Sequence, residues 1–260
     1  MNDRVSIAVQ EGVADVRLTR ADKMNALDPA MFTGLADAIA QLRGMREVRA
    51  VVLSGEGRAF CAGLDMASMA SGGSGLKLSE RSHGAANLVQ HVCTGWRELD
   101  VPVIAAIHGV AMGGGFQLLS GADMRIAHPG TRMAIRETYW GLVPDMGGFA
   151  LWRGSVREDI LRELVYTSRE FSGEGAQRWG LVTHVADDPL ATAMTIAREI
   201  AMRNPHAVRG CKRLFAEMTD GDTASILLAE SREQIALMGS PNQVESVRAN
   251  MEKRAPLFVD

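Results

Sequence analysis

Glycines mark the stretch of this sequence that is best suited to chemistry. An apolar, β-branched run over residues 103–107 leads into Gly113, Gly114 and Gly115, after which apolar residues recur at helical spacing. A strand that passes through glycines into a helix leaves backbone N–H groups free at the helix start, where the helix dipole favours negative charge. Glycine also lets a ligand approach the backbone closely. The stretch therefore predicts a site for a negative charge.

A second junction of the same kind precedes the first in the chain. The strand predicted over residues 49–54 is followed by a glycine-bearing turn in which Leu64 comes directly after Gly63. If Leu64 and Gly114 present their N–H groups to one point, they supply the pair of donors that a developing oxyanion requires. The alternative is that the glycines only allow a helix to pack closely on a strand. The spacing does not fit G-x-G-x-x-G, which argues against a dinucleotide site.

The elements that must position these junctions alternate between strand and helix, which predicts an α/β fold. Residues 5–10 and 13–18 indicate a hairpin. Asp28 and Pro29 indicate the start of a helix that ends near Arg43. The remaining predictions are a helix over 85–99, a strand over 124–127, extended pieces over 133–137 and 181–185, and a turn over 141–148 that leads into a helix.

Two segments bear on domain organisation. Residues 71–75 read Ser-Gly-Gly-Ser-Gly and predict a mobile loop over a pocket, in preference to a linker. The last third, from about Pro189, carries three amphipathic helical patterns. We therefore predict a core over residues 1–188 and a helical oligomerisation region over residues 189–260.

Composition restricts the partners and the compartment. The chain has 260 residues, of which 47% are hydrophobic, and a net charge of −3, so we expect a substantial core and no nucleic-acid surface. Cys61, Cys93 and Cys211 are far apart and form no C-x-x-C, which argues against disulfides or zinc and favours a reducing cytoplasm. No apolar run is long enough to span a bilayer, so no membrane partner is expected.

Five motifs occurring together and in order resemble the crotonase family, also called the enoyl-CoA hydratase/isomerase superfamily. They lie at residues 60–65, 102–109, 113–115, 141–144 and 252–256. The resemblance implies a spiral of ββα turns with a C-terminal helical region, assembled as a trimer or as a hexamer of two trimers. It also implies an acyl-CoA thioester substrate. Neither a metal nor a redox cofactor is needed, because the thioester already acidifies the proton and CoA enters as part of the substrate.

The resemblance also assigns roles to particular residues. It implies that the N–H groups of Leu64 and Gly114 hold the thioester oxygen. The residues that would border CoA are Lys23, Asn25, Ala26, Leu27, Ala62 and Asp65. Lys23 suits this role because the CoA nucleotide carries phosphates, although an ordinary solvated lysine is the alternative.

The acid–base residues determine the reaction. Family hydratases carry two glutamates twenty positions apart, which correspond here to Gln117 and Glu137 (137 − 117 = 20). An amide cannot carry a proton near neutral pH, so addition of water by two glutamates is in doubt, and Glu137 remains as the general acid or base. Asp145 lies where family dienoyl-CoA isomerases have an aspartate, although an aspartate after a proline also suits a helix N-cap.

Two classes of function therefore remain open. The first is an enzyme that forms a thioester enolate, with double-bond isomerisation favoured over hydration and Asp145 as the second proton carrier. The second is a CoA-thioester-binding protein that has lost efficient catalysis, which Gln117 would permit. Thioester hydrolysis at the same oxyanion site is a third possibility.

Overall fold

The structure, a computed structural model, describes residues 3–70 and 76–260, with the side chains of Met69 and Ala70 left out. The predicted mobile loop at 71–75 lies outside the described residues. Over the rest of the chain, strands and helices alternate up to β8 and only helices follow, so the predicted α/β class is confirmed.

The strands form two sheets within the described residues. One sheet has the order β1-β2-β3-β4-β6-β8, with β1 and β2 antiparallel and the other neighbours parallel, and the second sheet pairs β5 with β7. The predicted hairpin is confirmed by the pairing of β1 with β2. The strands are β1 (Val5–Gln10), β2 (Val13–Leu18), β3 (Ala50–Gly55), β4 (Val103–Ile107), β5 (Val110–Met112), β6 (Met124–Ala127), β7 (Arg132–Ala134) and β8 (His184–Val185).

The first helix begins where the local signals predict. Asp28 caps the first helix by accepting a hydrogen bond from the Met31 N–H at 2.7 Å, and Pro29 occupies its first turn. No helix of the described residues is long and apolar enough to cross a membrane. The helices are α1 (Pro29–Gly44), α2 (Met66–Ala70), α3 (Leu88–Thr94), α4 (Gly114–Ser120), α5 (Gly148–Trp152), α6 (Glu158–Thr167), α7 (Gly173–Arg178), α8 (Pro189–Ala201), α9 (Pro205–Asp220), α10 (Thr223–Leu237) and α11 (Pro241–Glu252).

Two helix predictions were wrong in extent or number. The helix predicted over 85–99 is only α3, because Asn87 and Gln90 form a reciprocal capping box that starts the helix at Leu88. Residues 189–260 hold four helices and not three, because Asp222 caps a new helix soon after α9 ends. Apolar periodicity alone does not separate two helices that are joined by so short a turn.

Each face of the larger sheet is covered. The main core lies between one face and elements that include α1 and α4. On the other face, Ala193, Ala197 and Ala201 of α8 pack against Val52 and Ile104. These alanines let α8 lie close to the sheet. The helix begins at the predicted boundary but packs on the core, so the division at residue 188 stays a prediction.

The topology of the sheet brings the two glycine junctions together. β3 and β4 are parallel neighbours, with Val52 opposite Ile104, so their carboxyl ends emerge at the same edge. The turn after β3 and the glycine run after β4 therefore begin side by side, as the shared oxyanion site requires.

Candidate active site

The two junctions contact each other backbone to backbone. The Cys61 N–H donates to the Val110 carbonyl and the Met112 N–H donates to the Cys61 carbonyl, each at 3.1 Å. Gly63 has a φ of +90°, and a Cβ built on it would lie 2.5 Å from the Met112 carbonyl oxygen and 3.6 Å from the Gly114 nitrogen. Any side chain at position 63 would therefore push the two corners apart.

The two predicted oxyanion donors are unoccupied by the protein. The Leu27 N–H donates to the Gly63 carbonyl, and the Leu27 carbonyl accepts from the Asp65 N–H. This β-bridge uses the residues on either side of Leu64 and leaves the Leu64 N–H without a partner in it. Gly114 is the first residue of α4, so its N–H has no intrahelical acceptor. Across residues 3–70 and 76–260, neither N–H donates a hydrogen bond.

Apolar side chains surround the Gly114 corner. A Cβ built on Gly114 would lie 2.7 Å from the Met146 sulfur and 2.9 Å from a methyl carbon of Leu27. Both Met146 and Leu27 are buried. Such surroundings strengthen any hydrogen bond that the free N–H groups make to a ligand. Met146 did not stand out in the sequence, because a methionine in a turn carries no local signal of contact with a distant glycine.

Glu137 lies beside this corner and is held by Gln117. The Gln117 Nε2 donates to Glu137 Oε1 at 2.6 Å, and Glu137 Oε1 lies 3.5 Å from a Cβ built on Gly113. Gln117 is fully buried and Glu137 is 8% exposed. Glu137 Oε2 is buried and has no hydrogen-bond partner among the described residues. An ordinary surface glutamate would not be buried in this way.

Burial sets the protonation behaviour of Glu137. Loss of hydration raises the pKa of Glu137 above its ordinary value of 4.5, and the nearby charge of Asp145 raises it further. The hydrogen bond from Gln117 opposes this rise by stabilising the carboxylate. A carboxyl group with a raised pKa is suited to take a proton and return it near neutral pH.

Asp145 is near Glu137 and does not cap a helix. The N-cap of α5 is Gly147, without a side-chain hydrogen bond, so the capping alternative is wrong. Asp145 is exposed as a residue, yet partial loss of hydration around its carboxyl raises its pKa. The charge of Asp145 raises the pKa of Glu137, so the two acids interact electrostatically.

The predicted CoA-bordering residues fall into two groups. Lys23 is exposed, in a short 3₁₀ helix at Ala21–Lys23. Asn25, in contrast, is buried, and its amide donates to the carbonyls of Glu56 at 3.0 Å and Ala59 at 2.9 Å. Asn25 thus ties the loop to the turn after β3, and its side chain is engaged within the protein.

The other predicted CoA-bordering residues are held in place by backbone and ionic contacts. The Ala62 N–H donates to the Met24 carbonyl at 2.9 Å, while Ala26 and Leu27 are buried. Asp65 pairs with Arg20 at 2.7 Å and accepts hydrogen bonds from the backbone N–H groups of α2, which lowers its pKa. These roles are structural, and the CoA contacts of the group stay a prediction.

Cys61 lies in the turn after β3, but its thiol is buried and unreactive. Burial raises the pKa of the Cys61 thiol to about 12, and the thiol donates to the Asn25 carbonyl at 3.1 Å. A thiol with such a pKa is not a nucleophile at neutral pH. Cys61 therefore supports the loop that carries Asn25.

Two free N–H groups thus lie close to a buried carboxyl group with a raised pKa, an arrangement that can stabilise an oxyanion while a proton moves. The sequence matches the enoyl-CoA hydratase/isomerase family over residues 8–260, so the chain belongs to that family. Family members are enzymes that act on acyl-CoA thioesters, and the fold is the crotonase fold.

Two relatives and one solved structure illustrate how similar the chain is to known members of the family. It is 32% identical to enoyl-CoA hydratase domain-containing protein 2, mitochondrial, of Bos taurus over 96% of this chain and 85% of that protein. It is 29% identical to the mitochondrial Delta(3,5)-Delta(2,4)-dienoyl-CoA isomerase of Mus musculus over 95% of this chain and 79% of that protein. The crystal structure of an enoyl-CoA hydratase from Bacillus anthracis superimposes with a TM-score of 0.89 at 29% identity, covering 98% of each chain.

Proposed function

We propose that this protein catalyses double-bond isomerisation of enoyl-CoA or dienoyl-CoA thioesters. The observation that carries the proposal is the state of Glu137, which is buried, has one oxygen held by the Gln117 amide and has the other unpartnered. Gln117 occupies the position where hydratases of the family have an acid. A reaction that only moves a proton within the substrate suits this site better than hydration, in which two glutamates add water across the double bond.

The proposed steps conserve atoms and electrons. Glu137 removes a proton from the carbon next to the thioester carbonyl, and the electron pair of the broken C–H bond moves to the carbonyl oxygen. The N–H groups of Leu64 and Gly114 stabilise that enolate oxygen. When the oxygen's electrons return, the double bond shifts and a proton is added at the far end of the conjugated system. The product is an isomer of the substrate, and no oxidant or reductant is required.

Asp145 is the proposed second proton carrier. Its carboxyl is close enough to raise the pKa of Glu137, has a raised pKa itself and caps no helix. Two acids with perturbed pKa values can divide the removal and delivery of a proton between them. The dienoyl-CoA isomerase of Mus musculus is one of the relatives, which supports this assignment.

Hydration of an enoyl-CoA is the second candidate, and the exposure of Asp145 favours it. An exposed carboxylate is in contact with solvent, so Asp145 could activate a water molecule in place of the missing glutamate. The structural relative from Bacillus anthracis is an enoyl-CoA hydratase. The two candidates differ in whether water is added to the product.

The experiment assays 2-enoyl-CoA, 3-enoyl-CoA and 3,5-dienoyl-CoA thioesters separately for hydration and for bond migration. We expect Glu137→Gln to lower kcat by about 10²- to 10⁴-fold and Asp145→Asn to lower dienoyl isomerisation most. Asp187→Asn, at an exposed aspartate outside the site, is the matched control. Strong hydration that survives Asp145→Asn would contradict the isomerase assignment. Retained CoA binding without turnover on any substrate would favour the binding-protein alternative.

The proposal includes an acyl-CoA site along the Lys23 loop. Lys23 is exposed and its cation is available to CoA phosphates, while Leu27 lies against the Gly114 corner. The loop thus connects a phosphate-binding position with the proposed oxyanion site. Isothermal titration with CoA against the parent and Lys23→Ala tests this connection.

We also propose assembly as a homotrimer or as a hexamer of two trimers. The C-terminal helices leave many large apolar side chains exposed, which is costly on an isolated surface and typical of an interface. They are Phe215, Met218, Leu227, Leu228, Ile235, Met238, Val244, Val247 and Met251. Light scattering coupled to size-exclusion chromatography should give three or six times the 28.0 kDa chain mass, and a monomer would contradict the proposal.

The proposed location is the cytoplasm. Cys61, Cys93 and Cys211 are all free thiols, and the first two are buried. Free buried thiols fit a reducing compartment. Fractionation of the source cells, followed by immunoblotting for this chain, tests the location.

A further inference from the structure

We propose that Gln117 is the positioning residue for Glu137: its amide occupies one carboxylate oxygen and reserves the other, Oε2, for the proton that the substrate gives up. The inference rests on the function proposed above. It assigns a role to a side chain that cannot itself carry a proton. It also explains how a family member operates with an amide in place of an acid.

The orientation of the Gln117 amide is determined by its partners. Its Oε1 accepts hydrogen bonds from the backbone N–H groups of Met146 at 2.9 Å and Gly148 at 3.1 Å. Backbone N–H groups only donate, so the oxygen must face them and the NH₂ group must face Glu137. The 2.6 Å contact to Glu137 is therefore a donated hydrogen bond to a carboxylate oxygen.

This contact divides the work between the two oxygens of Glu137. Oε1 is held by a donor that cannot accept a proton under ordinary conditions. Oε2 is buried and has no partner in the part of the chain that the structure describes. Rotation of the carboxylate would break the hydrogen bond to Gln117, so the free oxygen keeps its direction. Proton transfer at Glu137 is thus restricted to Oε2.

The same amide also holds the turn that follows Asp145. Its two backbone donors belong to residues 146 and 148, directly after Asp145. Met146 in turn contacts the Gly114 corner through its sulfur. One side chain on α4 therefore connects the buried acid, the turn that carries the second acid and the residue packed against a proposed oxyanion donor.

A carboxylate at position 117 would not do the same work. It could accept from the two backbone N–H groups, but it could donate to Glu137 only when protonated. Two carboxyl groups at this distance would share one proton and titrate as a pair. The amide avoids this coupling, so Glu137 does not share its proton with position 117.

The experiment compares the pH dependence of kcat for bond migration in three variants and the parent. Gln117→Leu removes the donor and the anchor, whereas Gln117→Glu keeps the anchor and changes the donor. Ser120→Ala is the matched control, because Ser120 is buried on the same helix. The substitution removes hydrogen bonds to Phe116 and Trp152 but none to Glu137. Unfolding curves establish that each variant is folded under the assay conditions.

In Gln117→Leu we expect kcat to fall about 10- to 100-fold with KM within twofold of the parent, and the acid limb to move to higher pH by about one unit. The limb should also move up in Gln117→Glu, which keeps the proposal testable if the leucine variant does not fold. Ser120→Ala should keep the parent profile. An unchanged limb in both Gln117 variants, or an equal shift in Ser120→Ala, would overturn the proposal.

Glu137→Gln separates this inference from the proposed function. If that variant retains full turnover, the isomerase mechanism fails, and the positioning role fails with it. If Glu137→Gln abolishes turnover while the Gln117 variants keep the parent profile, only the positioning role is refuted. If both respond as expected, the two proposals stand together.

Discussion

Substitution of Gly63 by alanine is the sharpest test of the shared oxyanion corner. A Cβ at this position would lie 2.5 Å from the Met112 carbonyl oxygen, and that oxygen is backbone that cannot rotate away. Ordinary van der Waals contact begins at 3.4 Å, so one corner must move by about 0.9 Å (3.4 − 2.5). Since the Gly114 nitrogen lies only 3.6 Å from the same point, the movement changes the relation between the Leu64 and Gly114 donors.

The expected magnitudes follow from this displacement. Oxyanion donors work over a range of only about 2.7–3.1 Å, so a shift of 0.9 Å removes one of them and should lower kcat by about 10²- to 10³-fold. The φ of +90° should cost alanine about 1–2 kcal/mol, and the crowding a further 1–3 kcal/mol or so. A folded protein with strongly reduced kcat is therefore the expected outcome.

The assay measures kcat for bond migration together with the free energy of unfolding in urea. Gly154→Ala is the matched control, because Gly154 has a φ of +72° and a Cβ built on it meets no atom of residues 3–70 or 76–260 within 4 Å. The control should lose stability through backbone strain alone and keep its kcat. If Gly63→Ala is folded and retains the parent kcat, the two N–H groups do not act as one site and the oxyanion argument is refuted.

Three further predictions concern charge. Burial raises the pKa of Glu137 above 4.5, so the Glu137 carboxylate should become protonated, and kcat should fall, as the pH decreases through a midpoint above 4.5. A midpoint at or below pH 4.5 would exclude Glu137 as the base. A raised folded-state pKa favours the neutral form, so Glu137→Gln should raise the melting temperature at pH 7, and the gain should vanish below pH 4.5. Lys212 is buried and donates to Asp123 at 2.8 Å and to two backbone carbonyls. Lys212→Met should therefore lower the free energy of unfolding, measured by urea titration, by about 3 kcal/mol. The control Lys77→Met, at an exposed ion pair, should lower it by about 0.5 kcal/mol or less. Equal losses would contradict that reasoning.

Local signals in the sequence were sufficient for much of the fold. The Asp28–Pro29 start of α1 and the hairpin of β1 and β2 were predicted correctly, because caps and tight turns depend on residues within a few positions of one another. The family was also identified from short motifs in a fixed order, and the match over residues 8–260 confirms it. Periodicity was weaker evidence, since it overextended α3 and merged helices near the C-terminus.

The candidate site was only partly predictable. The sequence singled out Leu64, Gly114 and Glu137, and the fold brings the glycine corners and Glu137 together. It left Asp145 undecided between a cap and an acid, and the position of Gly147 as the N-cap of α5 decided against the cap. It also gave no indication that the Asn25 side chain turns inward to the turn after β3.

The sequence by itself thus determined which residue types are present at the site: an amide at position 117, an acid at 137 and glycines at both corners. Only the tertiary structure decided what the amide does. Gln117 contacts Glu137 twenty residues away and Met146 twenty-nine residues away, and these contacts exist only when α4 is packed against the later turn. The direction of a buried hydrogen bond depends on donors and acceptors from distant parts of the chain, so no local spacing can specify it.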